Sequence, residues 1–221
     1  MSGAWADYRS STLEGGQQAT AAVRIQCVDR AADGAWEIEL LPLLDLPAGR
    51  VPEAGEGWLL LLSDRVARRE GDLADLVRKV VHWQGGLPTE LAPAQWREDP
   101  LVSSSLRAAF RPQTTRSAGE SVRVVGGRDL LCRQYDLAAA ETTRVMLPRG
   151  TLVQATRREI SAAVHPDVPF LGLTFATERI TTESHVEPPR AGRRDPPPAV
   201  RFELMELVAF GSDARRTLGA H

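Results

Sequence analysis

Hydrophobic and polar residues alternate along most of the chain, and this pattern predicts a protein built mainly from antiparallel strands. The clearest example is Val200–Gly211 near the C-terminus, where apolar residues occupy every second position and only Glu206 interrupts one face. We expect that face to point inward. If Glu206 is exposed, the inward face is instead the one that carries Met205 and Leu207.

Turn signals predict the partners of this strand. Asp33-Gly34 lies between the alternating segments Ala19–Arg30 and Trp36–Leu40, which is typical of a tight β-hairpin. A second two-residue hairpin is predicted around Gly126-Gly127. A long strand over Leu171–Ser184 is the expected antiparallel neighbour of the C-terminal strand. The other predicted strands are Trp5–Thr12, Trp58–Leu62, Thr142–Leu147 and Thr151–Arg157.

A change of periodicity predicts helices in the middle of the chain. Near residues 72–84 apolar side chains recur at helical spacing after a favourable N-cap, and Gly85-Gly86 is typical of a helix end. A second helix is predicted near residues 99–110, beginning with an Asp-Pro pair, and Leu91–Trp96 is compatible with a further short turn. These elements predict a helical insertion over about residues 72–111.

Together the elements predict one α+β domain that spans residues 1–221. Its centre is a large, curved antiparallel sheet resembling half of a barrel, with two or three helices packed on one face. The Pro/Arg-rich segment of about residues 187–199 is interpreted as a surface loop. The polar tail Ser212–His221 is expected to fray.

Composition narrows the class of partner. The formal net charge is −2, with 43% hydrophobic and 25% charged residues, which is ordinary for a soluble globular protein and gives no electrostatic basis for nucleic-acid binding. No run approaches the roughly 20 apolar residues of a membrane-spanning helix. The N-terminal segment lacks the basic start and apolar run of a signal peptide. The protein is therefore cytoplasmic, or a leader was removed and it belongs to the periplasm or cell envelope.

Two cysteines leave the redox state open. Cys27 and Cys132 each lie within an apolar strand pattern, which favours buried free thiols. A disulfide between them is the alternative in an oxidising compartment.

Motifs of the common enzyme classes are missing from the sequence. It contains no G-x-G-x-x-G, no G-x-x-x-x-G-K-[ST], no G-x-S-x-G, no H-E-x-x-H and no C-x-x-C. The strongest metal hypothesis combines His165 and Asp167 with His185 and Glu187, since residues two apart on a strand share a face. Polar residues beside prolines at strand ends are also ordinary surface residues. We therefore predict no catalytic, cofactor-binding or metal-binding residues, and a protein that is not an enzyme.

Five short segments outside the predicted helices form a series along the chain. They are Gly3-x-Trp5-x-x-Tyr8, Ala35-Trp36-Glu37-Ile38-Glu39, Leu131-Cys132-x-x-Tyr135, Val168-Pro169-x-Leu171-Gly172-Leu173 and Met205–Gly211. Together they resemble a group of β-rich bacterial envelope proteins of uncharacterised function and, more distantly, the half-barrel of periplasmic lipoprotein-localisation carriers. This resemblance implies a long antiparallel sheet wrapped around helices and a non-enzymatic role, and it supplies no catalytic residues.

The leading functional hypothesis is a non-enzymatic binding or carrier protein. Its partner would be an apolar small molecule, a lipid, or a lipidated or other protein segment held in the concave face of the curved sheet. The alternative is a structural or interaction protein with a filled core and no small-molecule site. The residues predicted to contact the ligand are Trp36, Leu73, Val77, Val80, Phe175, Phe202 and Leu204.

Overall fold

Eleven strands form one antiparallel sheet in the computed structural model of the chain. The structure describes residues 2–31, 34–44, 55–63, 76–98, 114–148, 150–170, 172–187 and 195–219, and the sheet is built from these residues. One short helix, α1 (Pro93–Glu98), follows the sixth strand. The strands are β1 (Trp5–Glu14), β2 (Gln17–Arg30), β3 (Trp36–Pro42), β4 (Gly57–Leu62), β5 (Val77–Gln84), β6 (Leu87–Leu91), β7 (Thr114–Val125), β8 (Arg128–Leu147), β9 (Gly150–Val164), β10 (Leu173–Glu187) and β11 (Ala199–Gly211).

The sheet is a meander whose two chain ends meet in its middle. Strands β1 to β6 pair in sequence, as do strands β7 to β11, and β1 also pairs with β11. Among the described strands the free edges are therefore β6 and β7, and the sheet that these strands form does not close into a barrel. One half of it is curled, because β7 approaches β11 although three strands lie between them in the sheet. The predicted large antiparallel sheet is confirmed, and its likeness to half of a barrel stays a prediction.

Most of the predicted strand pairs are confirmed. Strands β2 and β3 form the hairpin predicted at Asp33-Gly34, with the backbone N–H of Gly34 donating to the carbonyl of Ala31 at 2.8 Å; Asp33 itself lies outside the described residues. Strands β7 and β8 are joined by Gly126 and Gly127, which have φ values of 55° and 76°. Two successive positive φ angles define a type I′ turn, and glycine adopts them without steric cost. Strand β10 pairs with β11 as expected.

The predicted helix near residues 72–84 is wrong over its described part. Val77–Gln84 is strand β5, and Gly85-Gly86 is the turn of the β5–β6 hairpin instead of a helix end. Val80 is fully buried between Leu60 on β4 and Leu91 on β6. Apolar residues at helical spacing overlap here with a β-branched run, and burial against neighbouring strands decides the outcome.

The α+β class is therefore wrong. The described residues are nearly all β, and their one helix, α1, has six residues. It lies where a short turn was expected and buries Trp96 against the core. Residues 72–75 and the second predicted helix near residues 99–110 lie outside the described residues.

A single hydrophobic cluster joins the two halves of the sheet. Tyr8 is almost completely buried near its centre, and its hydroxyl donates a hydrogen bond to the carbonyl of Leu173 at 3.0 Å. The cluster includes successive cross-strand neighbours such as Ile38 and Leu60. Its other buried members are Ala6, Val23, Cys27, Leu40, Leu62, Val80, Trp96, Val125, Leu130, Cys132, Ala163, Val168, Ala176, Met205 and Leu207.

The inward face predicted for the C-terminal strand is wrong by one residue at its centre. The side chain of Glu206 is 42% exposed and forms an ion pair with Arg9 at 2.6 Å. Met205 and Leu207 are buried in the core instead, at 8% and 3% exposure. An unpaired carboxylate is too costly to bury, so the charge determines which face of β11 turns outward.

The segment after β11 is held in place, contrary to the expectation that it frays. Leu218 is 1% exposed, and the backbone N–H groups of Thr217 and Leu218 donate hydrogen bonds to the carboxylate of Glu39 on β3 at 3.0 Å each. The side-chain amide of Gln26 donates to the same carboxylate at 2.7 Å. Nearer β11, the indole N–H of Trp5 donates to Asp213 at 2.7 Å and, as the main cause, lowers the pKa of that carboxyl.

Candidate functional site

A cavity of about 750 Å³ lies in the curled half of the sheet, between β1 and β7. Its lining comes from three neighbouring cross-strand rows. Because side chains alternate along a strand, those of the first and third rows share one face of the sheet and those of the second row point to the other. The first row is Ser11, Leu204, Thr177, Ser161, Asp136 and Arg116; the second is Thr12, Glu203, Glu178, Ile160 and Leu137; the third is Leu13, Phe202, Arg179, Glu159, Ala138 and Thr114, with Gln18 beside Leu13. We call this space the β7–β11 cavity.

Large apolar side chains are left partly exposed at the cavity. Leu13 on β1 and Phe202 on β11 are direct cross-strand neighbours, with 44% and 46% of their surfaces exposed. Leu204, two residues after Phe202, also lines the cavity. Neighbouring apolar residues of this size normally lie in a core, and when a concave site leaves them exposed they provide a surface for an apolar ligand.

The carboxylates at the cavity are already neutralised by partners of the same chain. Glu203 lies 2.5 Å from Arg201, and Glu159 lies 2.7 Å from Arg157. The third, Glu178, is almost fully buried with Arg158 at 3.7 Å. Asp136 accepts a hydrogen bond from the hydroxyl of Ser161 at 2.8 Å. These contacts reduce the field that the four acidic groups present to a ligand.

Two arginines at the cavity are in a different situation. Arg116 and Arg179 line it, are exposed, and have no carboxylate within ion-pair distance in the described part of the chain. The guanidinium of Arg179 lies 5.9 Å from the ring centroid of Phe202, its cross-strand neighbour. An apolar surface with a guanidinium at its side suits a ligand that combines an apolar body with an acidic group.

The structure separates the residues predicted to contact a ligand into two groups. Phe202 and Leu204 line the β7–β11 cavity. Leu73 lies outside the described residues. The other four belong to the packed hydrophobic cluster or pack against it, and they are Trp36, Val77, Val80 and Phe175.

Several residues of the cavity were not predicted from the sequence. Leu13, Ile160 and Arg179 lie on three different strands, and they come together only through the pairing of β1, β9, β10 and β11. The alternation of apolar and polar residues along a strand predicts which face of the sheet a side chain lies on, but it does not predict which residue of the next strand lies opposite. No signal in the sequence alone identifies the three rows.

The two predicted His/acid pairs do not form one site. Nδ1 of His165 lies 4.0 Å from Asp167, and Nε2 of His185 lies 3.5 Å from Glu187. His185 pairs with Val153, twelve residues before His165, so about 40 Å of strand separates the two pairs. Within the described residues no three His, Cys, Asp or Glu side chains are grouped as metal ligands.

Both cysteines are free thiols and fully buried. Cys132 accepts a hydrogen bond from the hydroxyl of Thr174 at 3.3 Å. Burial raises the pKa of the Cys27 thiol to about 11, so it is protonated and unreactive at neutral pH. Of the two interpretations offered by the sequence, the structure supports buried thiols over a disulfide.

Comparisons with known proteins give weak similarities. No family model matches the chain, and no curated protein matches it. A DUF1329 family protein from Desulfovibrio piger is similar over 99% of this chain and 87% of its own, with 12% identity and a TM-score of 0.36. The MucA/MucB complex of Pseudomonas aeruginosa is similar over 95% of this chain and 94% of the matched one, with 12% identity and a TM-score of 0.25. At these TM-scores neither similarity establishes a shared fold or function.

These neighbours agree with the resemblance drawn from the sequence only at a coarse level, since both are bacterial proteins. The likeness to lipoprotein-localisation carriers stays a prediction. In the described residues no helix is long and apolar enough to cross a membrane.

Proposed function

We propose that this chain is a non-enzymatic binding protein that holds an amphipathic ligand in the β7–β11 cavity. The observation that carries the proposal is a cavity of about 750 Å³ at which Leu13 and Phe202 remain almost half exposed. That volume falls in the usual range for ligand pockets, roughly 300 to 1,000 Å³. Covering the exposed part of each side chain contributes about 1 kcal/mol to binding.

The ligand class follows from the charges beside the apolar surface. The carboxylates at the cavity have partners, whereas among the described residues no carboxylate lies within ion-pair distance of Arg179, whose guanidinium is 5.9 Å from the ring centroid of Phe202. A ligand with an apolar chain or ring and a carboxylate, sulfonate or phosphate group would cover Phe202 and pair with Arg179. An ion pair at such a half-exposed position adds about 1 kcal/mol or less, so the apolar contact supplies most of the affinity.

Fluorescence of 1-anilinonaphthalene-8-sulfonate tests the apolar surface. The dye combines fused rings with a sulfonate, so the wild type is expected to bind it, and Phe202→Asp is expected to weaken binding about tenfold, equivalent to 1.4 kcal/mol. Met146→Asp is the matched control, because Met146 is 82% exposed on β8 but does not line the cavity. Equal binding by the two variants would place the dye elsewhere and contradict the proposal.

A second comparison tests the acidic group. Arg179→Gln is expected to weaken binding of the anionic dye a few-fold and to leave binding of the uncharged N-phenyl-1-naphthylamine unchanged. Arg144→Gln is the control, since Arg144 lies on β8, is 62% exposed and pairs with Glu187, and neither residue lines the cavity. If Arg179→Gln weakened binding of both dyes to a similar degree, the guanidinium would not be what recognises the acidic group, and this part of the proposal would be contradicted.

The alternative is a structural or interaction protein with a filled core. The observation that favours it is the location of Trp36, Val77, Val80 and Phe175 in or against the packed cluster, where they leave no room for a ligand. Trp36, Val77 and Val80 belong to the β1–β6 half of the sheet, and Phe175 lies on β10 outside the lining of the β7–β11 cavity, so this observation does not apply to the cavity itself. Failure of the wild type to bind either dye would favour this alternative.

A further inference from the structure

The two free edges of the sheet differ in how well they are protected against pairing with another chain. Strand β6 has five residues and contains Pro88, both of which discourage a further strand. Strand β7 has twelve residues, contains no proline, and is exposed along almost its whole length. The β-bulge of β7 lies between Ser117 and Gly119, so the following segment Glu120–Val124 is a regular exposed edge, and such an edge is a template for another strand.

The turn at Gly126-Gly127 shows which backbone groups of β7 are free. In a two-residue hairpin the flanking residues, here Val125 and Arg128, form a hydrogen-bonded pair, and such pairs then alternate along the ladder. Arg123 and Ser121 therefore use their N–H and C=O groups to bond β8. The N–H and C=O groups of Glu120, Val122 and Val124 point away from it.

Apolar side chains lie beside these free groups. Val122 and Val124 are 62% and 71% exposed, and Leu131, the cross-strand neighbour of Val122 on β8, is 58% exposed. None of the three lines the β7–β11 cavity. An exposed apolar patch that is continuous with an unpaired strand edge is characteristic of an interface.

We propose that β7 pairs antiparallel with β7 of a second copy of this chain, centred on Val122. In this arrangement Val122 faces Val122 of the second copy, and Val124 faces Glu120, so the outward N–H and C=O groups of these residues bond one another in about six hydrogen bonds. The result is a row of four apolar side chains, Leu131 and Val122 from each copy. The sheets of the two copies become continuous.

The hydrogen bonds and side chains of β7 select this register over its neighbours. Shifting the centre by one residue to Arg123 would leave about four edge hydrogen bonds in place of six, because only Val122 and Val124 would then pair within the strand. Shifting it to Ser121 would place Val122 opposite Glu120 and break the apolar row. The register centred on Val122 sets Arg123 opposite Ser121 and avoids both penalties.

Cysteine cross-linking of the full-length protein tests the arrangement. In the proposed register the Cα atoms of the two Val122 residues lie about 5.5 Å apart, within the range of a disulfide. The two Val124 residues lie about 13 Å apart, which is too far. Val122→Cys is therefore expected to form a covalent dimer under mild oxidation and Val124→Cys is not. The native thiols are fully buried and do not contribute.

Sedimentation of the unmodified protein gives the second readout. The wild type is expected at twice the monomer mass of 24.1 kDa, and Val122→Pro at the monomer mass. The proline removes an N–H that β8 does not use, so the variant is expected to stay folded with an unchanged circular dichroism spectrum, and its melting temperature falls only by the stabilisation that the dimer supplies. A monomeric wild type would overturn the proposal, and so would equal cross-linking of the two cysteine variants. A wild type that binds an added extended peptide at β7 but not a second copy of itself would also overturn it, because the partner of β7 would then be another protein.

Discussion

The carboxylate of Glu39 on β3 accepts a hydrogen bond from the backbone N–H of Leu218, 179 residues later in the chain. Glu39 is fully buried, and the N–H of Thr217 and the side-chain amide of Gln26 donate to it as well. A carboxylate with three donors is a stable acceptor in a buried position. This contact fixes the C-terminal segment against the sheet and gives the first prediction.

Replacing Glu39 with Gln is expected to destabilise the protein at neutral pH by about 1 to 3 kcal/mol. Glutamine offers one acceptor oxygen, and its NH₂ group faces backbone donors. Chemical denaturation measures the difference. Glu37→Gln is a suitable control, because Glu37 lies on the same strand and contacts only the exposed side chain of Arg216 in this segment. An equal loss of unfolding free energy in Glu39→Gln and Glu37→Gln would contradict the claim that the hydrogen bonds to Glu39 hold the C-terminal segment.

The pH dependence of the same variant has a definite sign. Burial, as the largest cause, raises the pKa of Glu39 above its ordinary value, although the three donors oppose the shift. Between the ordinary pKa of about 4.3 and the raised one, the folded protein binds a proton that the unfolded chain does not. The stability of the wild type relative to Glu39→Gln should therefore rise as pH falls through this window, and a relative loss of stability there would contradict the account.

Leu218 tests whether the C-terminal segment contributes packing as well as hydrogen bonds. The side chain is 1% exposed, and Leu218→Ala is expected to lower the free energy of unfolding by about 2 to 3 kcal/mol. Leu44→Ala, at a position 74% exposed, is expected to change it by less than about 0.5 kcal/mol. Thermal melting compares the two. A frayed segment would give the same small effect for both.

Thiol titration tests the burial of Cys27 and Cys132. Neither side chain is exposed, and the pKa of the Cys27 thiol is raised to about 11 by burial. An aromatic disulfide reagent is expected to modify neither cysteine in the folded protein at neutral pH and both after denaturation. Rapid modification of the native protein would contradict the burial, and no free thiol after denaturation would show a disulfide instead.

The parts of the fold that could be predicted correctly are those determined by residues close together in the sequence. The β2–β3 and β7–β8 hairpins follow from dipeptides that adopt tight turns, and each holds its two strands together locally. The helix predicted around Val80 is wrong because valines at helical spacing also fit a strand whose two faces are both covered by other residues. Its partners on β4 and β6 determine the outcome, and they are not visible in the segment itself.

The candidate site was less predictable than the fold. Phe202 and Leu204 were named because they alternate on the C-terminal strand, but Leu13 joins them only through the pairing of the first and last strands. The contact between Glu39 and Leu218 depends in the same way on residues far apart in sequence. In each case the register between distant strands decides which side chains meet, and one sequence does not contain that information.

The most direct test of the ligand site is an NMR titration of the ¹⁵N-labelled wild type with dodecanoate, which has an apolar chain and a carboxylate. We expect the largest amide shifts at Leu13, Arg179 and Phe202, which line the β7–β11 cavity, and none at the core residues Leu60 and Val80. Saturable shifts confined to the cavity would support the proposed function. Shifts that are absent, or that are centred on Val122 and Val124 at the free edge, would contradict it.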